Sequence, residues 1–108
     1  MIKLNPIQWI DPKLCDPPHK ITHTDKFFQL VKQFSNNGWD LSKQPLIGYY
    51  LNKIQLISGS HRWAAANKAG IKIPVILYDY KDIQNIWGTD DWVNLLKTVE
   101  QMSIKSNE

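Results

Sequence analysis

The segment Ser58-Gly59-Ser60-His61-Arg62 combines residue types that can bind a phosphate and act on it. Glycine allows backbone conformations that other residues avoid, and it leaves no Cβ to block a ligand. Arginine offers a fork of donors, histidine can donate or transfer a proton, and the serines add hydroxyl groups. If a helix begins here, its first N–H groups and the positive end of its dipole also favour an anion. The segment therefore predicts a phosphate or carboxylate site.

The same segment is compatible with a purely structural role. Ser60 could cap a helix, Gly59 could form an ordinary turn, and Arg62 could be a surface side chain. A junction of strand, glycine and helix is common, so the residues by themselves leave both interpretations open.

Other side chains that could carry chemistry lie in the N-terminal half. His19 and His23 are four residues apart, a spacing that could bind a metal ion on a helix. The prolines around them favour an extended loop over residues 11–23, and no third ligand is evident, so we predict no metal site. A catalytic carboxylate, if one exists, is best sought here, and three residues are candidates: Asp11, Asp16 and Asp25.

Composition limits the class of protein. The chain has 108 residues, 43% of them apolar, which is enough for one domain with a modest core. The net charge of +3 is mild and the lysines are dispersed, so an anionic ligand is permitted but DNA is not required. No apolar run approaches the roughly 20 residues that span a bilayer, and the N-terminus lacks the apolar stretch of a signal peptide. We expect a cytoplasmic protein.

The elements that must position the segment follow from hydrophobic spacing and stop signals. Apolar residues 27, 30, 31 and 34 recur on one face of a helix that Thr24 caps and Gly38 ends. The predicted elements are strands at 7–10, 46–50, 54–57 and 73–78, and helices at 24–37, 61–69, 82–87 and about 89–103. This order indicates an α+β fold with one small sheet covered by helices.

The tryptophans and the last helix have predicted packing roles. Trp9 and Trp63 are expected in the core, and Trp92 on the apolar face of the last helix. Trp39 would either cap the end of the first long helix or be exposed and stack on a base. The apolar face of the last helix would either close the core or form a homodimer, and residues 103–108 are expected to fray.

The stretch from Ile54 to Tyr78 resembles the core of the ParB/sulfiredoxin superfamily. There, a strand runs into a Gly-x-His-Arg or Gly-Glu-Arg-Arg motif, followed by an alanine-rich helix, a glycine and a strand that begins Ile-Pro-Val. The matching residues here are Gly59-Ser60-His61-Arg62, Ala64-Ala65-Ala66, Gly70 and Ile73-Pro74-Val75. The resemblance implies a small mixed sheet flanked by helices, with a nucleotide or phosphate site at the motif.

A looser similarity to sulfiredoxin extends over residues 5–88. The helix that begins at Asp25 looks like the sulfiredoxin helix whose lysine contacts ATP phosphates, which implies that role for Lys26. The loop before such a helix borders the nucleotide cleft in this fold, so the resemblance also implies His23 or Lys20 as a ligand contact. The helix over 89–103 has no counterpart, and residues 1–108 are expected to form one domain.

Departures from the family motifs limit the expected chemistry. Ser60 stands where sulfiredoxin has its catalytic cysteine, and a hydroxyl is a weaker nucleophile than a thiolate. Ser58 stands where many relatives, including free serine kinases, have an aspartate, which weakens the case for metal-assisted phosphoryl transfer. The residues after Asp79 are too few for the helix-turn-helix of a partition protein. We expect neither sulfiredoxin activity nor a partition clamp.

The expected function is binding of ATP or another nucleotide, with or without Mg²⁺, and action on its phosphate as a phosphotransferase or hydrolase. The alternative is a non-catalytic adaptor or regulator of the same fold that binds a nucleotide or nucleic acid, and a DNA nuclease is a third reading. A phosphorylated small molecule is a further candidate partner. The candidate catalytic residues are His61 and Ser60, and the candidate phosphate-binding residues are Ser58, Gly59, Ser60, His61, Arg62, Lys26 and His23.

Overall fold

A computed structural model of the chain describes residues 3–105, in which five strands form one mixed sheet. The strands are β1 (Ile7–Ile10), β2 (Cys15–Asp16), β3 (Leu46–Leu51), β4 (Lys53–Leu56) and β5 (Ile73–Asp79), in the spatial order β1-β5-β3-β4-β2. The pairs β3–β5 and β2–β4 are parallel, whereas β1–β5 and β3–β4 are antiparallel. The predicted α+β class with a small mixed sheet is therefore confirmed.

Helices cover both faces of the sheet. They are α1 (Thr24–Asn37), α2 (Ser60–Ala69), α3 (Tyr80–Ile86) and α4 (Asp90–Glu100). Alternate residues of β3 face opposite sides, so Leu46 packs in a core with Phe34 and Ala65, and Ile47 packs in a second core with Ile83 and Leu95. Burial of both faces explains why β3 and β5 are nearly continuous apolar runs.

The apolar face of α4 closes the second core. Leu95 and Val99 are buried there, and Trp92 packs against the same cluster. This is the first of the two roles predicted for α4. Within residues 3–105, no helix combines the length and the apolar character needed to cross a bilayer.

The predicted loop over residues 11–23 contains regular structure that the sequence did not reveal. A 3₁₀ turn over Pro12–Leu14 is followed by β2, which pairs Cys15 with Ile54. Pro12 suits the first position of such a turn because its missing N–H would be unpaired there anyway. The indole Nε1 of Trp63 donates to the carbonyl oxygen of Pro12 at 2.7 Å, which holds this segment against α2.

Two packing predictions were wrong. Trp9 is 45% exposed, because β1 lies at the sheet edge and turns Ile10 rather than Trp9 towards the core. Residues 103–105 are not frayed: Ile104 is buried, and the N–H of Lys105 donates to the carbonyl oxygen of Leu41 at 3.0 Å. The rest of that predicted frayed segment, residues 106–108, lies outside the described residues.

Gly59 determines where α2 can begin. Its backbone is left-handed, with φ of +83°, and a Cβ at this position would overlap Cδ2 of Leu46, which is itself fully buried. Gly70, at the other end of α2, has a similar φ of +74° but nothing within 4 Å of its would-be Cβ. An alanine at either position would strain the backbone, but only an alanine at position 59 would also overlap a neighbouring side chain.

We expect Gly59→Ala to destabilise the fold by about 2–5 kcal/mol, because a left-handed alanine costs about 1–2 kcal/mol and overpacking adds about 1–3 kcal/mol. The matched control Gly70→Ala should cost only the conformational part, about 1–2 kcal/mol. Urea unfolding followed by tryptophan fluorescence measures both values. Equal losses in the two variants would contradict the close approach of Gly59 to Leu46.

Candidate functional site

A cleft of about 730 Å³ lies between α1, the loop over residues 38–45 and the N-terminus of α2. Its lining residues are His19, Lys26, Leu30, Gln33, Phe34, Trp39, Asp40, Lys43, Gln44, Gly59, Ser60, His61 and Arg62. The cleft is therefore built around the strand–glycine–helix junction that the sequence identified.

The junction presents unpaired backbone donors to this cleft. The first hydrogen bond of α2 is donated by the N–H of Trp63 to the carbonyl oxygen of Gly59, at 2.7 Å. The N–H groups of residues 60–62 consequently have no acceptor inside the helix. Since these residues line the cleft, the positive end of the α2 dipole is located there, an arrangement that favours negative charge.

Arg62 is a partly buried cation in the wall of the cleft. Its Nη1 donates to the carbonyl oxygen of Gln44 at 2.8 Å, and its Cζ lies 5.7 Å from the ring centroid of Trp39. Burial lowers the pKa of the guanidinium, and no neighbouring carboxylate among the described residues offsets that effect. Arg62 remains charged at neutral pH, so the cleft contains a desolvated positive charge with no carboxylate beside it.

Ser60 is buried, with 3% of its surface exposed. Its Oγ accepts a hydrogen bond of 3.1 Å from the backbone N–H of His19. The hydroxyl therefore fixes the loop before α1 against the start of α2. Its own proton can still be donated towards a ligand in the cleft.

His61 fixes the same loop from the next position of α2. Its Nε2 accepts hydrogen bonds from the backbone N–H groups of Thr22, at 3.3 Å, and His23, at 3.0 Å. A nitrogen that accepts carries no proton, so the neutral ring has its proton on Nδ1. Burial lowers the pKa of His61, and electrostatic interaction with Lys26, His23 and His19 lowers it further.

The three histidines cluster at the mouth of the cleft without forming a metal site. The ring of His23 stacks on that of His61 with centroids 5.7 Å apart, and the ring of His19 meets it edge-on at 6.2 Å. Across residues 3–105, no group of three His, Cys, Asp or Glu side chains has a metal-binding arrangement. His19 lines the cleft, although the sequence pointed instead to His23 or Lys20 for ligand contact.

The structure brings together most of the predicted phosphate-binding residues but not all of them. Ser58 lies outside the cleft lining, because its Oγ accepts a hydrogen bond of 3.4 Å from the N–H of Ile47 in β3. His23 also lies outside the lining, where its ring covers His61. Those that do line the cleft are Lys26, Gly59, Ser60, His61 and Arg62.

The opposite wall was missed by sequence reasoning. Trp39 is 7% exposed and stacks on Phe34 in the last turn of α1 with centroids 5.0 Å apart, so it packs over the end of that helix, the first of its two predicted roles, and is not exposed. Next to it, Asp40 lines the cleft, and its Oδ1 accepts hydrogen bonds from the N–H of Ser42 at 3.0 Å and the Oγ of Ser42 at 2.6 Å. These hydrogen bonds lower the pKa of Asp40, and Lys43 contributes to the same effect.

The three carboxylates singled out from the sequence lie elsewhere. Asp11 accepts a hydrogen bond from the N–H of Lys13 in the 3₁₀ turn, and Asp16 pairs with Lys53 at 2.9 Å. Asp25 lies in the first turn of α1, where the helix dipole favours it. The carboxylate that lines the cleft is Asp40, which no local motif marked.

Comparison with known proteins identifies the fold. No protein-family model matches the sequence, and no curated protein matches it. Sulfiredoxin from Arabidopsis thaliana is similar in structure, with a TM-score of 0.56 and 16% identity over 73% of this chain and 93% of that one. The chromosome-partitioning protein ParB from Caulobacter crescentus, complexed with CTP-gamma-S, has a TM-score of 0.58 and 15% identity over 90% of this chain and 54% of that one.

The structure of a free serine kinase in complex with AMP is similar to this one to about the same degree. Its TM-score is 0.55, with 20% identity over 72% of this chain and 33% of that one. The chain therefore spans about a third of the kinase and about half of the ParB chain. The ParB/sulfiredoxin-like fold that the Gly-x-His-Arg motif indicated is confirmed.

We expect the stability of the protein to fall as the pH drops below about 6.5, the ordinary pKa of histidine. The pKa of His61 is lowered in the folded state, so the unfolded chain binds more protons in this range, and folding is disfavoured. His61→Gln should flatten this dependence, because a glutamine oxygen can replace Nε2 as an acceptor without titrating. Urea unfolding from pH 5 to pH 8 measures both. An unchanged slope in His61→Gln would contradict the role of Nε2.

Proposed function

We propose that the cleft binds a nucleotide through its phosphates and that the protein transfers or hydrolyses a phosphoryl group of that nucleotide. The observation that carries the proposal is Arg62, a desolvated cation beside the open N-terminus of α2. Gln44 accepts one hydrogen bond from Arg62 but brings no negative charge. Burying a charge without a counter-charge is costly, and a bound anion would supply that counter-charge. A cytoplasmic location is part of the same proposal.

A phosphate at the start of α2 would meet several favourable groups at once. The N–H groups of residues 60–62 would donate to its oxygens, and Arg62 would neutralise its charge. Lys26 and Lys43 line the same cleft and would extend the positive field to a second or third phosphate. A volume of about 730 Å³ falls within the size range of small-ligand pockets.

The structural neighbours favour a nucleotide over other anions. The ParB structure is complexed with CTP-gamma-S, and the free serine kinase structure is a complex with AMP. Both proteins have the fold of this chain. These complexes support a nucleotide here.

Phosphoryl transfer depends mainly on positioning and on charges aimed at the transferred group. Arg62 and Lys26 would stabilise the negative charge that develops on the phosphate oxygens. His61 would act through Nδ1–H, because Nε2 accepts from the loop. Mg²⁺, where it accompanies the nucleotide, would neutralise phosphate charge. Ser60 is assigned to holding the loop rather than to nucleophilic attack.

A nucleotide-binding regulator without catalysis is the second candidate. It is favoured by Ser60, a candidate catalytic residue, which is buried and accepts a hydrogen bond from His19. Incubation with each of ATP, CTP and GTP and Mg²⁺, followed by detection of phosphate or diphosphate release, distinguishes the candidates. The reactions are run without an acceptor and with serine or another hydroxyl compound as the phosphoryl acceptor. Tight nucleotide binding with no turnover in any of them supports the non-catalytic regulator.

We expect Arg62→Gln to weaken nucleotide binding by roughly ten- to a hundredfold, the value of a lost charged hydrogen bond. The control is Lys68→Gln, which removes one charge from the exposed C-terminal end of α2 and should change binding less than threefold or so. Isothermal titration calorimetry with ATP, CTP and GTP measures the affinities, and circular dichroism confirms that both variants are folded. Equal effects of the two variants would refute the assignment of Arg62.

A further inference from the structure

The imidazole ring of His19 has a defined tautomer. Its Nδ1 lies 2.7 Å from the carbonyl oxygen of Lys20. A carbonyl oxygen only accepts hydrogen bonds, so Nδ1 carries the proton, and Nε2 of the neutral ring carries the lone pair. Within residues 3–105, no hydrogen bond occupies Nε2. His19 therefore offers an unoccupied proton acceptor on a ring whose other nitrogen is held by the backbone.

His19 is attached to the N-terminus of α2, where the phosphate is proposed to bind. Its backbone N–H donates to the Oγ of Ser60 at 3.1 Å, and its ring meets that of His61 edge-on with centroids 6.2 Å apart. The residue lines the cleft and is exposed to solvent. The ring is therefore placed beside the backbone amides that would hold a phosphate.

The other side chains of the cleft are less suited to receive a proton. Nε2 of His61 already accepts from two backbone N–H groups, so that ring can donate through Nδ1–H but cannot take a proton without losing those hydrogen bonds. Asp40 also lines the cleft, but the hydrogen bonds that lower its pKa make it a weaker base. The remaining charged side chains of the lining are cations. His61 and His19 thus divide the two roles, donor and acceptor.

Resting on the proposed function, we propose that His19 is the general base that removes the proton from the acceptor of the phosphoryl group. The O–H bond of the acceptor breaks as its proton passes to Nε2, and its oxygen bonds to the terminal phosphorus of a nucleoside triphosphate. The bond from that phosphorus to the bridging oxygen breaks, and its electron pair leaves with the nucleoside diphosphate. The exposed imidazolium then releases its proton to solvent.

This role also limits the chemical class of the acceptor. A base is needed only where the attacking oxygen carries a proton, as in water or an alcohol. A carboxylate or a phosphate would attack without one. The acceptor is therefore water or a hydroxyl compound.

The test separates proton removal from nucleotide binding. In His19→Asn, the shorter amide can keep a donor near the position of Nδ1, but nothing replaces Nε2. Thr22→Ala is the control, because Thr22 lies in the same loop outside the cleft lining and keeps the backbone N–H that contacts His61. Single-turnover phosphoryl transfer to water and to serine is measured with Mg²⁺ and each of ATP, CTP and GTP. Calorimetry with their non-hydrolysable analogues gives the affinities, and circular dichroism checks folding.

We expect His19→Asn to slow phosphoryl transfer roughly 10²–10⁴-fold, the usual contribution of a general base, without a change in nucleotide affinity. Thr22→Ala should keep the wild-type rate to within about threefold, as an exposed substitution outside the cleft does. In His19→Ala, added imidazole should restore part of the rate, because it can enter the vacated space and accept the proton.

The outcomes distinguish this assignment from the proposed function. Equal rates in His19→Asn and Thr22→Ala, or a loss of nucleotide affinity in His19→Asn, overturn the role of His19 as a base and leave the proposed function standing. Nucleotide binding without turnover in the wild-type protein overturns the assignment and favours the regulator. Absence of nucleotide binding overturns the proposed function, and the assignment with it.

Discussion

The close approach of Gly59 to Leu46 is the contact on which the arrangement of the site depends. Leu46 is buried in the centre of the sheet, and only a residue without a Cβ can turn over it in a left-handed conformation. The helix that follows must then start at Ser60, directly above the sheet. That start point aims the open amides of α2 at the cleft and places Arg62 in its wall.

Around this fixed helix start, distant parts of the chain are attached by specific hydrogen bonds. The segment before α1 is held by Ser60, which accepts from His19, and by His61, which accepts from Thr22 and His23. The loop over residues 38–45 is held by Arg62 on one side and by the C-terminal residues on the other. The side chains expected to contact a ligand thus also assemble the walls of the cleft, so binding and local folding are coupled.

The sequence predicted those parts of the site that can be recognised from neighbouring residues along the chain. The junction at Gly59 was predictable because a strand, a glycine and an alanine-rich helix follow one another directly. Asp40 and Trp39 could not be found in this way, since tertiary contacts made far along the chain bring their loop to the cleft. Trp9 was wrongly expected in the core. The alternation of apolar and polar residues along β1 separates the two faces of the strand, but it does not show which face is buried when the strand lies at the edge of the sheet.

The distribution of charge in the cleft has a consequence for the ligand-free protein. The Arg62 guanidinium donates to the carbonyl oxygen of Gln44 but has no carboxylate partner among the described residues, and Trp39 Nε1 is a buried donor with no partner of its own there. A ligand that binds only the folded state raises its stability in proportion to the logarithm of ligand concentration over Kd. A carboxylate beside Arg62 would supply a permanent counter-charge, but it would also occupy the position proposed for the phosphate of a ligand. Asp40, bonded instead to Ser42, leaves that position open.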